Sequence, residues 1–151
     1  MGAVYWILKS MKLFYKISAV AKGRPRFRML PGRNYPMVYT DTATATYETA
    51  IKMLTKAQLG KYFQPFDGAI SVSINIEITR PKSVTRDYPS VKPDLDNYAK
   101  AILDALNGII WLDDAQICSL QITKSYNLKP TISVEIEQHQ GESNVISSRG
   151  D

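Results

Sequence analysis

The 151-residue sequence contains a single cysteine, Cys118, and a single histidine, His139. One cysteine excludes a disulfide framework and a cysteine-based zinc site. One histidine excludes a histidine-rich metal site, and it leaves Ser-His-Asp catalysis only if His139, close to a polar tail, is the base. Any bound metal ion must therefore be held by oxygen atoms, which favours Mg²⁺, Mn²⁺ or Ca²⁺.

The sequence also lacks an apolar run long enough to span a membrane. Its N-terminal stretch is apolar but is interrupted by Lys9, Lys12 and Lys16, and it has no clean signal-peptide cleavage site. These features predict a soluble, cytoplasmic protein. Met11 is an alternative start, which would make residues 1–10 an extension of the domain.

Acidic residues are missing from the first 40 positions, which hold eight lysines and arginines. The rest of the chain contains the other 11 basic residues and all 14 acidic ones. Such a one-sided positive field indicates a polyanionic partner, and nucleic acid is the first candidate. A basic surface without a binding role is the alternative.

Hydrophobic periodicity predicts a single α+β domain over residues 1–138 with the order β-α-β-α-β-β. The two helices should back a mixed sheet, and the last two strands should form a hairpin. We expect strands at 12–20, 69–79, about 116–126 and 131–138, and helices at 42–59 and 97–107.

Two proline-containing basic segments join these elements. Residues 22–40 are expected to be mostly loop, and residues 80–93 are expected to be a loop. Residues 139–151 are polar and only weakly hydrophobic, so we expect a disordered tail.

Two aspartates precede the second helix in the stretch KPDLDNYAK, residues 92–100. Pro93 favours extended backbone here, so period-two alternation predicts that Asp94 and Asp96 point to the same side. Lys100 follows one helical turn after Asp96. A capped helix start with a surface ion pair is the plain interpretation, and a cation site is the other.

The turn after this helix supplies further acids, Asp113 and Asp114, in the stretch IIWLDDAQI. Adjacent residues in extended chain face opposite ways, so one of them can point back at Asp94 and Asp96 while the other caps the turn. Spacing leaves both assignments open. Three converging carboxylates without histidine are typical of a hard-cation site. One or two Mg²⁺ ions there would serve phosphodiester cleavage.

These acidic motifs and the helix between them resemble the signature of the RusA-type Holliday junction resolvases, which prophages often carry. The matching letters are KPDLDNYAKAILDALNG followed by WLDDAQI. Upstream, KGRPRF at 22–27, VYT at 38–40 and YE at 47–48 are similar to the N-terminal part of many Gram-positive and phage members. The resemblance covers about residues 12–138.

The resemblance implies that Asp94, Asp96 and Asp114 bind the metal ion and that Lys100 is the active-site lysine. It implies a homodimer that binds four-way DNA junctions in recombination and repair. With Mg²⁺ or Mn²⁺, the dimer would nick two opposing strands symmetrically. Lys100 is expected to offset transition-state charge or to orient the attacking water, and Asp104 is expected to be a surface or supporting group.

Basic residues in the two loops are the candidate DNA contacts. Arg24, Arg26 and Arg28 alternate, so in extended chain they project to one side, where arginine forks match phosphate oxygens. The remaining candidates are Lys22, Arg33, Arg80, Lys82 and Arg86. Two other functions stay open: a non-catalytic DNA-binding protein that uses the basic arm, and a Mg²⁺-dependent phosphohydrolase of small substrates.

Overall fold

Six strands and two helices are formed within residues 9–139, the part of the chain that the computed structural model describes. The predicted α+β class, a mixed sheet with two helices, is confirmed. Most of the predicted N-terminal extension, residues 1–8, and most of the predicted tail, residues 140–151, lie outside the described residues. In chain order the elements are β1 (Ser10–Tyr15), β2 (Arg26–Arg28), β3 (Met37–Tyr39), α1 (Thr42–Gln58), β4 (Ile70–Thr79), α2 (Leu95–Leu106), β5 (Ile117–Asn127) and β6 (Thr131–Gln138).

The main sheet has the strand order β1-β6-β4-β5. β6 runs antiparallel to both of its neighbours, whereas β4 and β5 are parallel. The predicted hairpin between the last two strands is therefore wrong, because β4 lies between them. Burial explains this order. β6 buries Ile132, Val134 and Ile136 completely and suits a central position, whereas β5 exposes Leu120 and takes an edge.

α2 lies in the chain between the parallel strands β4 and β5, so it must return over one face of the sheet, in the direction opposite to these strands. Near the end of β5, Lys124 Nζ donates to the carbonyls of Val91 and Pro93 at 2.8 and 3.1 Å, just before α2 begins. At the other end, the Phe66 N–H before β4 donates to the Ile110 carbonyl at 2.7 Å, just after α2 ends. Twelve residues span about 18 Å at a helical rise of about 1.5 Å each, so the two ends of α2 lie near opposite ends of the strands β4 and β5.

One face of the sheet packs against α1 and α2, and this contact forms the core. The other face is polar, with Ser73, Asn75 and Ser133 on neighbouring strands. Within the described range, no helix is both long and apolar enough to cross a membrane. The largest fully buried side chains are Trp111, Tyr15, Phe66, Leu13, Ile51, Ile70, Ile74, Ile76, Ile102, Leu106, Ile110 and Ile132.

One local prediction needs correction, because α2 begins at Leu95 rather than at residue 97, with Asp94 as its N-cap. The segment 22–40 is mostly loop, as expected, and β2 and β3 pair within it as a small antiparallel hairpin. α2 ends at Leu106, one residue before the predicted end, and Gly108 follows with a φ of +80°, a conformation that glycine adopts without strain.

Replacing Ile102 with alanine should lower the free energy of unfolding by about 2–5 kcal/mol, because the side chain is fully buried on the core face of α2. Met53→Ala on α1 is the matched control, since Met53 is 68% exposed, and it should change stability by less than about 0.5 kcal/mol. Urea unfolding followed by circular dichroism measures both. Equal effects of the two substitutions would contradict this packing of α2.

Candidate active site

The start of α2 presents two carboxylates at the protein surface. Asp94 is the N-cap, with extended backbone at φ −68° and ψ 148°, and Asp96 lies in the first helical turn. Within residues 9–139, Asp94 makes no side-chain capping bond, and neither aspartate takes part in an ion pair. Their oxygens therefore face solvent and are open to a ligand.

The early start of α2 changes the relation between these two residues. The predicted alternation required both to lie in extended chain, but only Asp94 is extended. Leu95 opens the helix and packs against the core. Because helical residues two apart do not share a face, the argument for a common direction of Asp94 and Asp96 does not hold. The two carboxylates share a helix end instead.

A chain of four charged side chains runs along α2 from Lys100 towards its C-terminal end. Lys100 Nζ donates to Asp104 Oδ1 at 2.7 Å, and Asp104 Oδ2 lies 3.0 Å from Lys22 Nζ. Lys22 also donates to Glu48 Oε1. Glu48 belongs to α1 and Asp104 to α2, so Lys22 links the two helices through its ammonium group. We call these four residues the Lys22 network.

The surroundings of the Lys22 network favour its charged forms. Partial burial by itself raises the pKa of Asp104, but the hydrogen bonds from Lys100 and Lys22 bring that pKa below its ordinary value. Burial by itself lowers the pKa of Lys22, and the hydrogen bonds to Glu48 and Asp104 raise that pKa above its ordinary value. Sequence reasoning missed Glu48, because only the packing of α1 beside α2 brings it here.

The turn after α2 uses its two aspartates differently. Asp113 caps the single 3₁₀ turn at Asp114–Gln116: its side chain accepts from the Ala115 N–H at 3.0 Å, and the Gln116 side chain accepts from the Asp113 N–H at 2.8 Å. The predicted turn cap is thereby confirmed. Asp114 instead accepts a hydrogen bond on Oδ1 from the indole Nε1 of Trp111 at 2.7 Å. The buried Trp111 thus fixes the half-buried Asp114 carboxylate.

Asp114 lies beyond the C-terminal end of α2, whereas Asp94 and Asp96 lie at its start. The length of the helix, about 18 Å at about 1.5 Å per residue, separates them within one chain. Accordingly, no group of three or more Asp, Glu, His or Cys side chains in the described part of the chain is placed to hold a metal ion. The crossover places the two acidic motifs near opposite ends of the strands, so the three carboxylates do not meet within one described chain, and their joint binding of one metal ion stays a prediction.

The hairpin of β2 and β3 carries exposed arginines. Arg26 and Arg28 lie two residues apart in β2 and share a face, whereas Phe27 pairs with Val38 on the other face. Arg26 is 3.2 Å from Asp41, at the N-cap of α1. Arg24 before β2 and Arg33 in the connecting turn are also exposed, and the Arg33 guanidinium donates to the Tyr35 hydroxyl at 3.2 Å.

Two predicted DNA contacts in the loop after β4 make bonds within the protein. Arg80 donates to the carbonyls of Val84 and Arg86 at 3.2 and 2.8 Å, and Arg86 Nε donates to the Tyr126 hydroxyl at 3.1 Å. These bonds brace the loop that leads to the start of α2. Lys82 in the same loop is exposed. Contact of any of these residues with DNA stays a prediction.

Comparison with known proteins places this geometry in a family context. The family model described as Endodeoxyribonuclease RusA matches residues 16–137. A protein of Bacillus subtilis (strain 168), named Uncharacterized protein YqaN, is 31% identical over 134 residues, which is 79% of this chain and 89% of that protein. The family match includes both ends of α2, the Lys22 network and the arginine hairpin.

Replacing Asp104 with asparagine should destabilise the protein near neutral pH and do so less as the pH falls. The pKa of Asp104 is lower in the folded than in the unfolded protein. The ionised Asp104 carboxylate therefore contributes fully to the free energy of unfolding above its pKa in the unfolded protein, about 4. That contribution is lost as the pH falls through its pKa in the folded protein. Thermal unfolding of wild type and Asp104→Asn between about pH 7 and pH 2.5 measures this loss of stability as a function of pH. Asp87→Asn, at an exposed loop position, is the control, and a pH-independent effect of Asp104→Asn would contradict the ionic origin.

Proposed function

The chain belongs to the RusA endodeoxyribonuclease family, and from that premise we propose that it cuts four-way DNA junctions by paired, symmetric nicks that require a divalent cation. The observation that carries the proposal is the pair of solvent-facing carboxylates, Asp94 and Asp96, at the start of α2 with Lys100 one turn beyond them. All three lie in the region that the family model matches. We further propose that this activity serves DNA recombination and repair in the cytoplasm.

The donor set fits a hard cation. Asp94 and Asp96 offer carboxylate oxygens only, which is the ligand chemistry of Mg²⁺, with Mn²⁺ as a substitute. When bound, the ion would activate water and neutralise charge on the phosphate that is cleaved. Lys100 would place a positive charge where the phosphate gains negative charge in the transition state. Asp104 would orient Lys100 through the hydrogen bond at 2.7 Å.

Asp114 enters this proposal through a second subunit. Because α2 holds Asp114 away from Asp94 and Asp96 in one chain, we propose a homodimer in which the partner's Asp114 completes each cation site. A two-fold axis makes such an exchange reciprocal, so each dimer would contain two equivalent sites. Two sites related by this axis match a four-way junction, in which two symmetry-related strands must each be nicked once. The bond from Trp111 would keep Asp114 oriented for its partner.

The exposed cations of the hairpin would hold the DNA backbone. Arg24, Arg26, Arg28 and Arg33 present guanidinium groups at the surface, and such groups pair with phosphate oxygens without reading sequence. Their combined contribution should make binding depend steeply on salt.

A non-catalytic junction-binding protein is the second candidate. It is favoured by the separation of Asp114 from Asp94 and Asp96 within the described chain, because a pure DNA-binding protein needs no complete cation site. Cleavage assays decide between the two candidates.

Asp96→Asn should abolish cleavage of a synthetic four-way junction in Mg²⁺ while leaving junction affinity within about threefold, because the substitution removes a cation ligand and leaves the arginine hairpin intact. Wild type should produce paired nicks with Mg²⁺ and none with EDTA, and linear duplex of the same sequence should stay uncut. Asp87→Asn is the matched control and should cut like wild type. A wild type that binds the junction but never cuts it with Mg²⁺ or Mn²⁺ would establish the second candidate.

Mixed dimers should show whether each cation site is built from both subunits or from one chain alone. A dimer of one Asp96→Asn subunit and one Asp114→Asn subunit, prepared by co-expression with two affinity tags, would contain one fully intact shared site and one doubly altered site. It should regain single-strand nicking, whereas both parent homodimers should be inactive. If the mixed dimer forms and binds the junction but does not nick it, the completion by the partner's Asp114 is wrong.

A further inference from the structure

Lys22 lies at the root of the arginine hairpin and is attached to both helices. Its backbone N–H donates to the Asn97 carbonyl in the first turn of α2 at 2.8 Å, in addition to the side-chain bonds of the Lys22 network. The next residue, Gly23, donates its N–H to the hydroxyl of the buried Thr44 on α1 at 3.0 Å. A side chain at Gly23 would meet Thr44 at 3.1 Å, so the backbone passes tightly against α1 here.

The ammonium group of Lys22 is already surrounded by negative charge. Its side chain is 26% exposed, and it is bonded to Glu48 and Asp104, whose side chains are 16% and 24% exposed. A DNA phosphate that approached Lys22 would also approach these two carboxylates, which would repel it. The neighbouring Arg24 and Arg28 are exposed and present no such obstacle. Lys22 is therefore a poor phosphate contact.

Lys100, in contrast, is held by one interaction within residues 9–139. Its side chain is 58% exposed, and its bond partner is Asp104. A lysine on a four-carbon stem samples many rotamers unless a partner fixes its end, and an isolated surface pair at this spacing is weak. Asp104 can serve as a fixed partner because Lys22 holds its other carboxylate oxygen at 3.0 Å. Lys22 also separates the charges of Asp104 and Glu48, which would otherwise repel each other.

We propose that Lys22 is a positioning residue: through Asp104 it fixes the ammonium group of Lys100 on the surface of α2, and Glu48 in turn holds Lys22. This inference rests on the proposed function, because it assigns a role to Lys100 in strand cleavage. It replaces the expectation that Lys22 contacts DNA. It also gives Glu48, on the other helix, a part in the same site.

Lys22→Met tests the proposal because it removes the charge and keeps the length of the side chain. We expect the cleavage rate at saturating junction and Mg²⁺ to fall at least about tenfold, since small displacements of an active-site group cost this much or more. Junction affinity and its salt dependence should stay as in wild type. Lys52→Met, at an exposed position on α1, is the matched control and should leave both quantities unchanged. Arg24→Met should weaken binding and reduce the salt slope by about 1.

A double-mutant cycle distinguishes positioning from a general structural effect. In a Lys100→Ala background, Lys22→Met should slow cleavage no further, because Lys22 acts through Lys100. Lys22→Arg, which keeps the charge, should restore part of the rate. Glu48→Gln should give a smaller loss that also disappears in the Lys100→Ala background, and it serves as the second variant if Lys22→Met does not fold in a thermal unfolding assay.

Three results would overturn the inference while the proposed function stands. They are wild-type cleavage by Lys22→Met, a reduced salt slope for Lys22→Met, and losses that add in the Lys100→Ala background. The second would make Lys22 a phosphate contact, and the third would make its role purely structural. A wild-type protein that binds junctions without cutting them would instead overturn the proposed function, and this inference with it.

Discussion

The crossover connection from β4 to its parallel neighbour β5, which contains α2, is the constraint on which the rest of the structure depends. Parallel neighbours require a crossover, so the helix begins near the C-terminal ends of β4 and β5 and ends near their N-terminal ends. Lys124 secures its start through the carbonyls of Val91 and Pro93, and Phe66 secures the backbone just after its end. The acidic motif before the helix and the acidic motif after it are thereby held apart, although only 17 residues separate Asp96 from Asp113 in the sequence.

Charge in this protein is divided between exposed and internal roles. Arg24 and Arg28 are open to solvent, whereas Lys22 bridges two helices and Arg80 braces a loop. Composition counts all of these residues alike, although the basic residues near the N-terminus are not all equally exposed. The same division applies to the acids, because Asp113 serves as a cap while Asp94 leaves its carboxylate free of capping bonds.

Much of the fold could be predicted because it depends on short-range patterns. β4 alternates apolar and polar residues without a break, and both α1 and α2 end within one residue of their predicted ends. The strand order could not be predicted, because it depends on which strand buries more apolar surface once all strands compete for the centre. The Lys22 network was missed for a related reason, since Glu48 and Asp104 are 56 residues apart in the sequence and no local periodicity joins them.

The sequence by itself determined the helices, most of the strands and the family, because each depends on residue type and on spacing along the chain. Only the tertiary structure decided which residues meet. In the folded chain Asp114 lies apart from Asp94 and Asp96. Lys22 is bonded to Glu48, and Arg86 donates a hydrogen bond to the Tyr126 hydroxyl. The physical reason is that side-chain neighbours across elements follow from the packing of helices on a sheet, and that packing minimises the exposed apolar area of the whole chain rather than of any one segment.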